Sequence, residues 1–348
     1  MQRHSVWIGL ALLGACLGAS IGLRQQAGTD QDRTVPRVRP PADDDPIDQK
    51  VVQPLPVVRA PAGLGERAFA HVQALVAMGP RHTAAQPTPG WSRQLDHIVT
   101  TLRGLGLEPV RDTWTDRKEL LTFTNVSVRI PGRRPDRILL ACHHDTKCTT
   151  GHSDPAHNFP FVGANDGASG VGLLLALAAE LAKTEREATL ELVFFDGEES
   201  LDWTWNDAAR ALFGSKRYVR SHRDRTLTGD EPRIAAMVLL DMVGRTDLHI
   251  QEELYSTRAL RQLCWSAAVA TGHQDVFFRR AEAASDDHKP FLEVGIPAID
   301  LIDLNGNPHW HKSTDTIENV SAASLQRVAD VVLTLLPAIE QEFVQKPR

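Results

Sequence analysis

Apolar residues recur along this chain with two periods. Phe69, Val72 and Val76 are spaced for one face of a helix, which Gly79-Pro80 ends. Trp91, Leu95, Ile98, Leu102 and Leu105 line a second helix, stopped by Gly104 and Gly106. Phe123, Val126, Val128 and Ile130 predict a strand closed by Pro131-Gly132. The pattern then changes to short continuous apolar runs at 138–142, 190–195, 236–240 and 296–302, read as strands. An apolar helix is predicted over 171–181, and a last helix from about Ala322 to Ile339 turns Leu325, Val328, Val332 and Leu335 inward. Buried strands alternating with helices imply an α/β fold, a three-layer α/β/α sandwich around a mixed, mostly parallel sheet. No internal repeat is visible.

The N-terminal region breaks from this pattern. Arg3 and His4 precede an apolar run from Val6 to Leu23, closed by Arg24. Residues 1–24 therefore read as an export signal or a membrane anchor. Leu13-Gly14-Ala15-Cys16 also resembles a lipoprotein cleavage box, although the apolar run continues past Cys16. All three readings place the rest of the chain outside the cytoplasm, in the periplasm or cell envelope. Residues 25–61 are polar and hold Pro36, Pro40, Pro41, Pro46, Pro54, Pro56 and Pro61, with an acidic run at Asp43–Asp45. They read as a disordered linker, leaving 62–348 as the catalytic domain.

Composition narrows the picture. The 348 residues are 42% hydrophobic and 24% charged, and the formal net charge is −6. With no basic cluster among aromatics, nucleic acid is excluded as a partner. The four cysteines, Cys16, Cys142, Cys148 and Cys264, form no CxxC pair, which argues against a thiolate metal site. Cys142 and Cys148 are near enough in sequence to pair in an oxidising compartment, or to stay two separate thiols.

Three predicted strands run into acidic or histidine residues. These are His143-His144-Asp145, Asp196-Gly197-Glu198-Glu199 and Asp241, with Asp166 on the loop after the first. Open α/β sheets bind ligands at the carboxyl ends of their strands. Adjacent buried carboxylates repel each other and need a cation or a shared proton. His143, Asp166, Glu199, Asp241 and His311 are therefore candidate ligands of a catalytic zinc. Asp145, two residues from His143 on an extended strand, is placed to orient that imidazole. Glu198 and Glu199 are neighbours in an extended segment and point apart, which leaves Glu198 free to move protons.

These residues lie in longer motifs: His143-His144-Asp145-Thr146-Lys147, Gly163-Ala164-Asn165-Asp166-Gly167-Ala168-Ser169-Gly170, Phe194-Phe195-Asp196-Gly197-Glu198-Glu199, Leu240-Asp241-Met242-Val243-Gly244 and Trp310-His311. In this order they resemble the zinc aminopeptidase superfamily, from about Gly65 to the C-terminus. The resemblance implies Asp166, Glu199 and His311 as ligands of the retained zinc. In the two-zinc aminopeptidases Asp166 would bridge, with His143 and Asp241 holding the second ion. Leu212-Phe213-Gly214-Ser215-Lys216, Asp286-Asp287-His288-Lys289-Pro290-Phe291 and the Trp310-His311 pair further resemble the glutaminyl cyclases. That branch implies one zinc, Glu198 as proton shuttle, Asp286 and Asp241 as hydrogen-bond partners of the reacting amide, and Trp205 or Trp203 with Trp310 lining the pocket.

The chain departs from that branch in three places. Asp300 stands where animal cyclases have a histidine. Cys142 matches one of their disulfide cysteines, while the partner position falls around Gly170 or Val171. The loop from Cys148 to Pro160 is unusual, and its His152 and His157 are expected in solvent rather than on metal. The leading reading is a monomeric glutaminyl-peptide cyclotransferase acting on peptides or proteins with a free N-terminus. The rival is a two-zinc aminopeptidase in which Glu198 activates water. A non-catalytic binding domain on the same fold is the third reading; such a domain would be expected to lose ligands, and all five are present.

Overall fold

The computed structural model describes residues 45–83, 88–229 and 231–345. The chain divides into units at Met1–Thr34 and Val35–Arg348, and only the second holds described residues. The expectations for residues 1–24 and for Cys16 therefore lie outside the described residues.

In chain order the elements are α1 (Leu64–Val76), α2 (Pro89–Gly104), β1 (Val110–Thr115), β2 (Thr122–Ile130), β3 (Arg134–His143), α3 (Ala168–Leu181), β4 (Ala188–Phe195) and α4 (Phe213–Leu227). They continue with β5 (Ile234–Asp241), β6 (Ile250–Glu253), α5 (Arg258–Thr271), β7 (Phe277–Glu282), α6 (Lys289–Glu293), β8 (Ala298–Ile302) and α7 (Ala322–Ile339). Six strands form one sheet in the order β1-β2-β4-β3-β5-β8. β3 pairs parallel with both β4 and β5, and β5 pairs parallel with β8. β1–β2 and β2–β4 are antiparallel, so the sheet is mixed at one edge. β6 and β7 make a separate parallel pair.

Side chains alternate across a strand, so each central strand feeds two cores. Ile138, Leu140, Cys142, Leu192, Phe194, Val238 and Leu240 point into the larger core, with residues of α1, α3, α5 and α7. Leu139, Ala141, Val193, Phe195, Met237 and Leu239 point the other way, against Tyr218 and Val219 of α4 and Phe291 of α6. This is the three-layer sandwich, with one thick and one thin helical layer. The helical run Ala322–Gln345 is apolar and long enough to cross a membrane, but 72% of its apolar window is buried inside the fold, which makes it a core helix.

The last part of the expected linker is not free. Residues 45–61 form no helix or strand, yet Ile47 and Ala60 are buried. The Ile47 N–H donates to Glu252 at 2.8 Å, and Trp265 Nε1 donates to the Gln49 carbonyl at 2.8 Å. The Val58 N–H donates to Thr334 Oγ1 at 3.1 Å, and the Ala60 N–H to Asp330 at 2.8 Å. Proline blocks regular structure here, while side chains of β6, α5 and α7 pair with the backbone groups.

α3 lies close on the sheet because Gly170 has no side chain. A Cβ at Gly170 would come 2.4 Å from the Leu240 carbonyl oxygen and 2.9 Å from Cys142 Cβ. The position facing Cys142 is therefore the one expected from the animal cyclases, but it holds glycine. Cys142 and Cys148 are both free thiols, so they do not pair. We predict that Gly170→Ala destabilises the domain by about 1–3 kcal/mol through overpacking against backbone. Equilibrium urea unfolding measures this; an unchanged midpoint and slope would show that α3 has room to retreat.

Candidate metal and catalytic site

The four parallel strands deliver their carboxyl ends to one edge of the sheet. β3 ends in His143 and β5 in Asp241, while Asp196 follows β4 and Asp303 follows β8. Asp303 is taken up by a bidentate pair with Arg245, at 2.7 and 3.0 Å. Asp196 accepts from Trp91 Nε1 at 2.9 Å and from the Thr124 N–H at 2.7 Å. The other groups converge on each other.

Asp166 stands at their centre. Its Oδ1 lies 3.3 Å from His143 Nε2, and its Oδ2 lies 3.5 Å from His311 Nε2. His143 Nε2 is also 3.0 Å from Asp241 Oδ1, and His311 Nε2 is 3.1 Å from Glu199 Oε1. Two triads result, His143–Asp166–Asp241 and Asp166–Glu199–His311, each with its ligand atoms within 4.8 Å of one another. All five residues are buried. Asp166 Oδ2, Glu199 Oε2 and His143 Nδ1 have no hydrogen-bond partner. Unpaired buried acceptors on clustered carboxylates are costly, and a divalent cation removes that cost. Three carboxylates and two imidazoles are a donor set that suits zinc.

The backbone holds this set tightly. Gly167, at φ 91°, turns the chain from Asp166 into α3. His311 is left-handed, at φ 53°, an uncommon conformation for a non-glycine residue and a form of strain that collects at functional sites. Asp145 stands 3.6 Å from His143 Nδ1, on the side away from the other ligand candidates. Its two oxygens also accept the N–H groups of Glu198 and Glu199, at 3.1 and 3.2 Å. It thus fixes the Glu198–Glu199 turn. The two glutamates point apart: Glu199 meets His311, while Glu198 Oε2 lies 3.8 Å from His143 Nδ1.

Environment sets the charge of each group. Burial would raise the Glu199 carboxyl, but His311 and Lys147 together hold it down at about 2. Burial pushes Glu198 well above the usual carboxylate range; His143 opposes this, and Asp286 adds to it. Burial and then Asp241 push Asp286 up to about 7. Asp286 is buried, and its Oδ2 has no partner. Asp300 is buried on β8, 3.8 Å from His288 Nδ1, and His288 Nε2 lies 3.0 Å from Glu253.

Aromatic rings enclose the His311 side. Trp310 stacks on His311 with ring centroids 4.4 Å apart, and Trp203 is tilted against it at 5.9 Å. Phe161 meets the same imidazole edge-on at 6.1 Å. Trp205, half-buried, takes part in none of these ring contacts.

Three supporting residues carry no metal-ligand signal in the sequence. Asp315 accepts the N–H groups of Asn165 and Asp166, at 2.8 and 3.0 Å. Arg81 is fully buried and donates to the carbonyls of Val162 and Gly163, at 2.6 and 3.0 Å. Lys147 donates to the carbonyls of Ser200 and Asp202, at 2.6 and 2.8 Å, and stands 3.5 Å from Glu199. The only hint in the sequence is proximity: Asp315 follows His311 by four residues, and Arg81 follows the Gly79-Pro80 stop.

A glutaminyl-peptide cyclotransferase-like protein of Bos taurus is 28% identical over 284 residues, covering 72% of this chain and 70% of that protein. The crystal structure of an Acidobacteriales bacterium glutaminyl cyclase superposes with a TM-score of 0.71 at 30% identity, over 83% of this chain and 99% of that one. A zinc-dependent exopeptidase from Parabacteroides distasonis shares the fold, with a TM-score of 0.67 at 24% identity over 81% and 98% of the two chains. The family model for Peptidase family M28 matches residues 125–336, a stretch that holds all five candidate ligands together with Glu198 and Asp286, and the chain belongs to that family.

Proposed function

We propose that this protein is a zinc-dependent glutaminyl-peptide cyclotransferase, converting N-terminal glutamine of peptides to pyroglutamate with release of ammonia. The observation that carries the reading is the aromatic enclosure of Trp203, Phe161 and Trp310 around His311, one of the residues of the buried cluster whose His143 lies 3.8 Å from Glu198. Aromatic walls of this kind suit one side chain folding back on its own amine. The sequence and structural relatives named for this activity support the same reading.

One zinc held by Asp166, Glu199 and His311 would supply a Lewis acid that polarises the γ-carbonyl of the glutamine. The rest falls to the chain. The reaction forms a bond between the α-amine nitrogen and the side-chain carbonyl carbon and breaks that carbon's bond to the amide nitrogen. Both partners belong to one residue, so ring closure costs little entropy once the pocket holds the folded conformer. Glu198, kept well above the ordinary carboxylate range by burial, takes the proton of the attacking amine and returns it to the departing ammonia. Asp241 and Asp286 lie beside it and hydrogen-bond the reacting amide. Asp286, held at about 7, is able to donate or accept near neutral pH.

One observation favours a second reading. Asp166 faces both triads with separate oxygens, as a residue between two zinc ions would. In a two-zinc aminopeptidase the same Glu198 would take the proton of an attacking water. The remaining proposals follow the leading reading: a monomer whose residues 1–24 serve as export signal or anchor, which places the domain in the periplasm or cell envelope.

Mass spectrometry of Gln-Phe-Ala and Leu-Phe-Ala incubated with the enzyme tests the choice. Ammonia loss from the first with the second intact is expected; free leucine would establish the aminopeptidase instead. Glu198→Gln is predicted to lower turnover by about 100-fold or more while zinc stays bound. Loss of the metal in that variant would make Glu198 a ligand. Asp286→Ala is predicted to cut the rate strongly with an unchanged circular dichroism spectrum and melting temperature. A near-normal rate would remove Asp286 from the mechanism.

A further inference from the structure

The loop from Cys148 to Pro160 is held shut by its own hydrogen bonds. Thr149 Oγ1 donates to the Phe159 carbonyl, and the Gly151 N–H donates to Asn158 Oδ1 at 2.9 Å. The Asp154 N–H donates to His152 Nδ1 at 3.0 Å. Asp154 then caps a single short turn, Pro155–His157, accepting the Ala156 N–H at 2.9 Å. The turn ends on His157, and the loop's two imidazoles come together there.

Both are half-buried and partly open to solvent. His157 stacks face to face on Trp203, with ring centroids 3.8 Å apart and planes 13° apart. His152 meets both rings edge-on, at 5.1 Å from His157 and 5.2 Å from Trp203. The other side of this cluster is the active site, since Trp203 is tilted against His311 at 5.9 Å. Trp203 itself sits on a stretch, 200–207, with no helix or strand. That stretch is tied by its backbone: Lys147 binds the Ser200 and Asp202 carbonyls, and the Leu201 N–H donates to the Arg210 carbonyl at 2.9 Å. Those bonds fix where Trp203 starts from. The indole's direction is set by the rings packed on it.

We propose that His157, braced by His152, is a positioning residue that holds the Trp203 indole against His311 and so pre-forms the wall on which the N-terminal residue of the peptide packs. This rests on the cyclotransferase reading for the identity of the substrate. Stacking needs a flat ring but no charge, so the role belongs to the ring of His157 rather than to its proton. A wall that is already in place spares the substrate the cost of ordering it, and its loss weakens binding more than the chemical step.

The test compares wild type with His157→Ala, His157→Phe and Trp203→Ala, all zinc-loaded, on Gln-Phe-Ala. A stacked aromatic pair is worth enough to predict a KM about three- to tenfold higher for His157→Ala, with kcat and zinc content close to wild type. His157→Phe restores the low KM because it keeps the flat ring, and Trp203→Ala raises KM at least as far. Without substrate, His157→Ala also changes the acrylamide quenching of tryptophan fluorescence, and in a Trp203→Phe background the same substitution changes nothing. A His157→Ala enzyme with wild-type KM and quenching, alongside an impaired Trp203→Ala, overturns the proposal. So does an elevated KM that His157→Phe fails to restore. Absence of ammonia release in every variant and in wild type overturns the cyclotransferase reading, and the substrate part of this proposal with it. The quenching comparison still decides whether His157 holds Trp203.

Discussion

Three carboxylates and two imidazoles buried within contact of one another are the constraint on which this structure is built. Asp166, Glu199 and Asp241 lie at a dry sheet edge, where like charges interact strongly and unpaired acceptors are penalised. Such a cluster needs a cation or shared protons to neutralise it. Nearby polar groups serve that end: Asp315 and Arg81 fix the loop carrying Asp166, Asp145 fixes the turn carrying Glu198 and Glu199, and Lys147 offsets part of the negative charge.

The fold explains how distant residues meet. Parallel strands β3, β4, β5 and β8 end on the same side, so His143 and Asp241 reach one edge directly, and the loops after β3, β4 and β8 bring Asp166, Glu199 and His311 to it. The apolar sheet beneath gives the site a rigid floor. α3 can approach that floor because Gly170 lacks a side chain, and this brings Asp166, at its N-terminal end, up to His143. The aromatic rings around His311 include Trp203, which lies on an irregular stretch packed against His152 and His157 of the Cys148–Pro160 loop.

Much of this was legible in the sequence. Continuous apolar runs gave β3, β4, β5 and β8, because strands buried on both faces carry no polar alternation. The last helix has the bounds its periodicity predicts. The candidate ligands stood out because carboxylates and histidines directly after buried strands have no cheap structural use. α4 was hidden because it is largely polar and buries only six residues, among them Tyr218, Val219 and His222. β1 was hidden by its exposed, polar face, and β6 and β7 because they are short and carry charged residues. The linker reading of residues 45–61 failed because composition reports an inability to form helix or strand, not the presence of donors and acceptors waiting on α5 and α7. Asp315, Arg81 and the His157–Trp203 stack involve backbone groups or residues far apart in sequence, which spacing does not reveal.

The claim that the rest depends on is that the buried cluster is a zinc site. Elemental analysis of the purified chain, paired with melting curves before and after chelation, tests it directly. The account predicts about one tightly held zinc per chain and a melting temperature that falls by several degrees on its removal and returns when zinc is added, since a ligand bound only by the folded state stabilises it. Protein that purifies without a divalent metal, and whose melting temperature responds to neither chelator nor zinc, would contradict it.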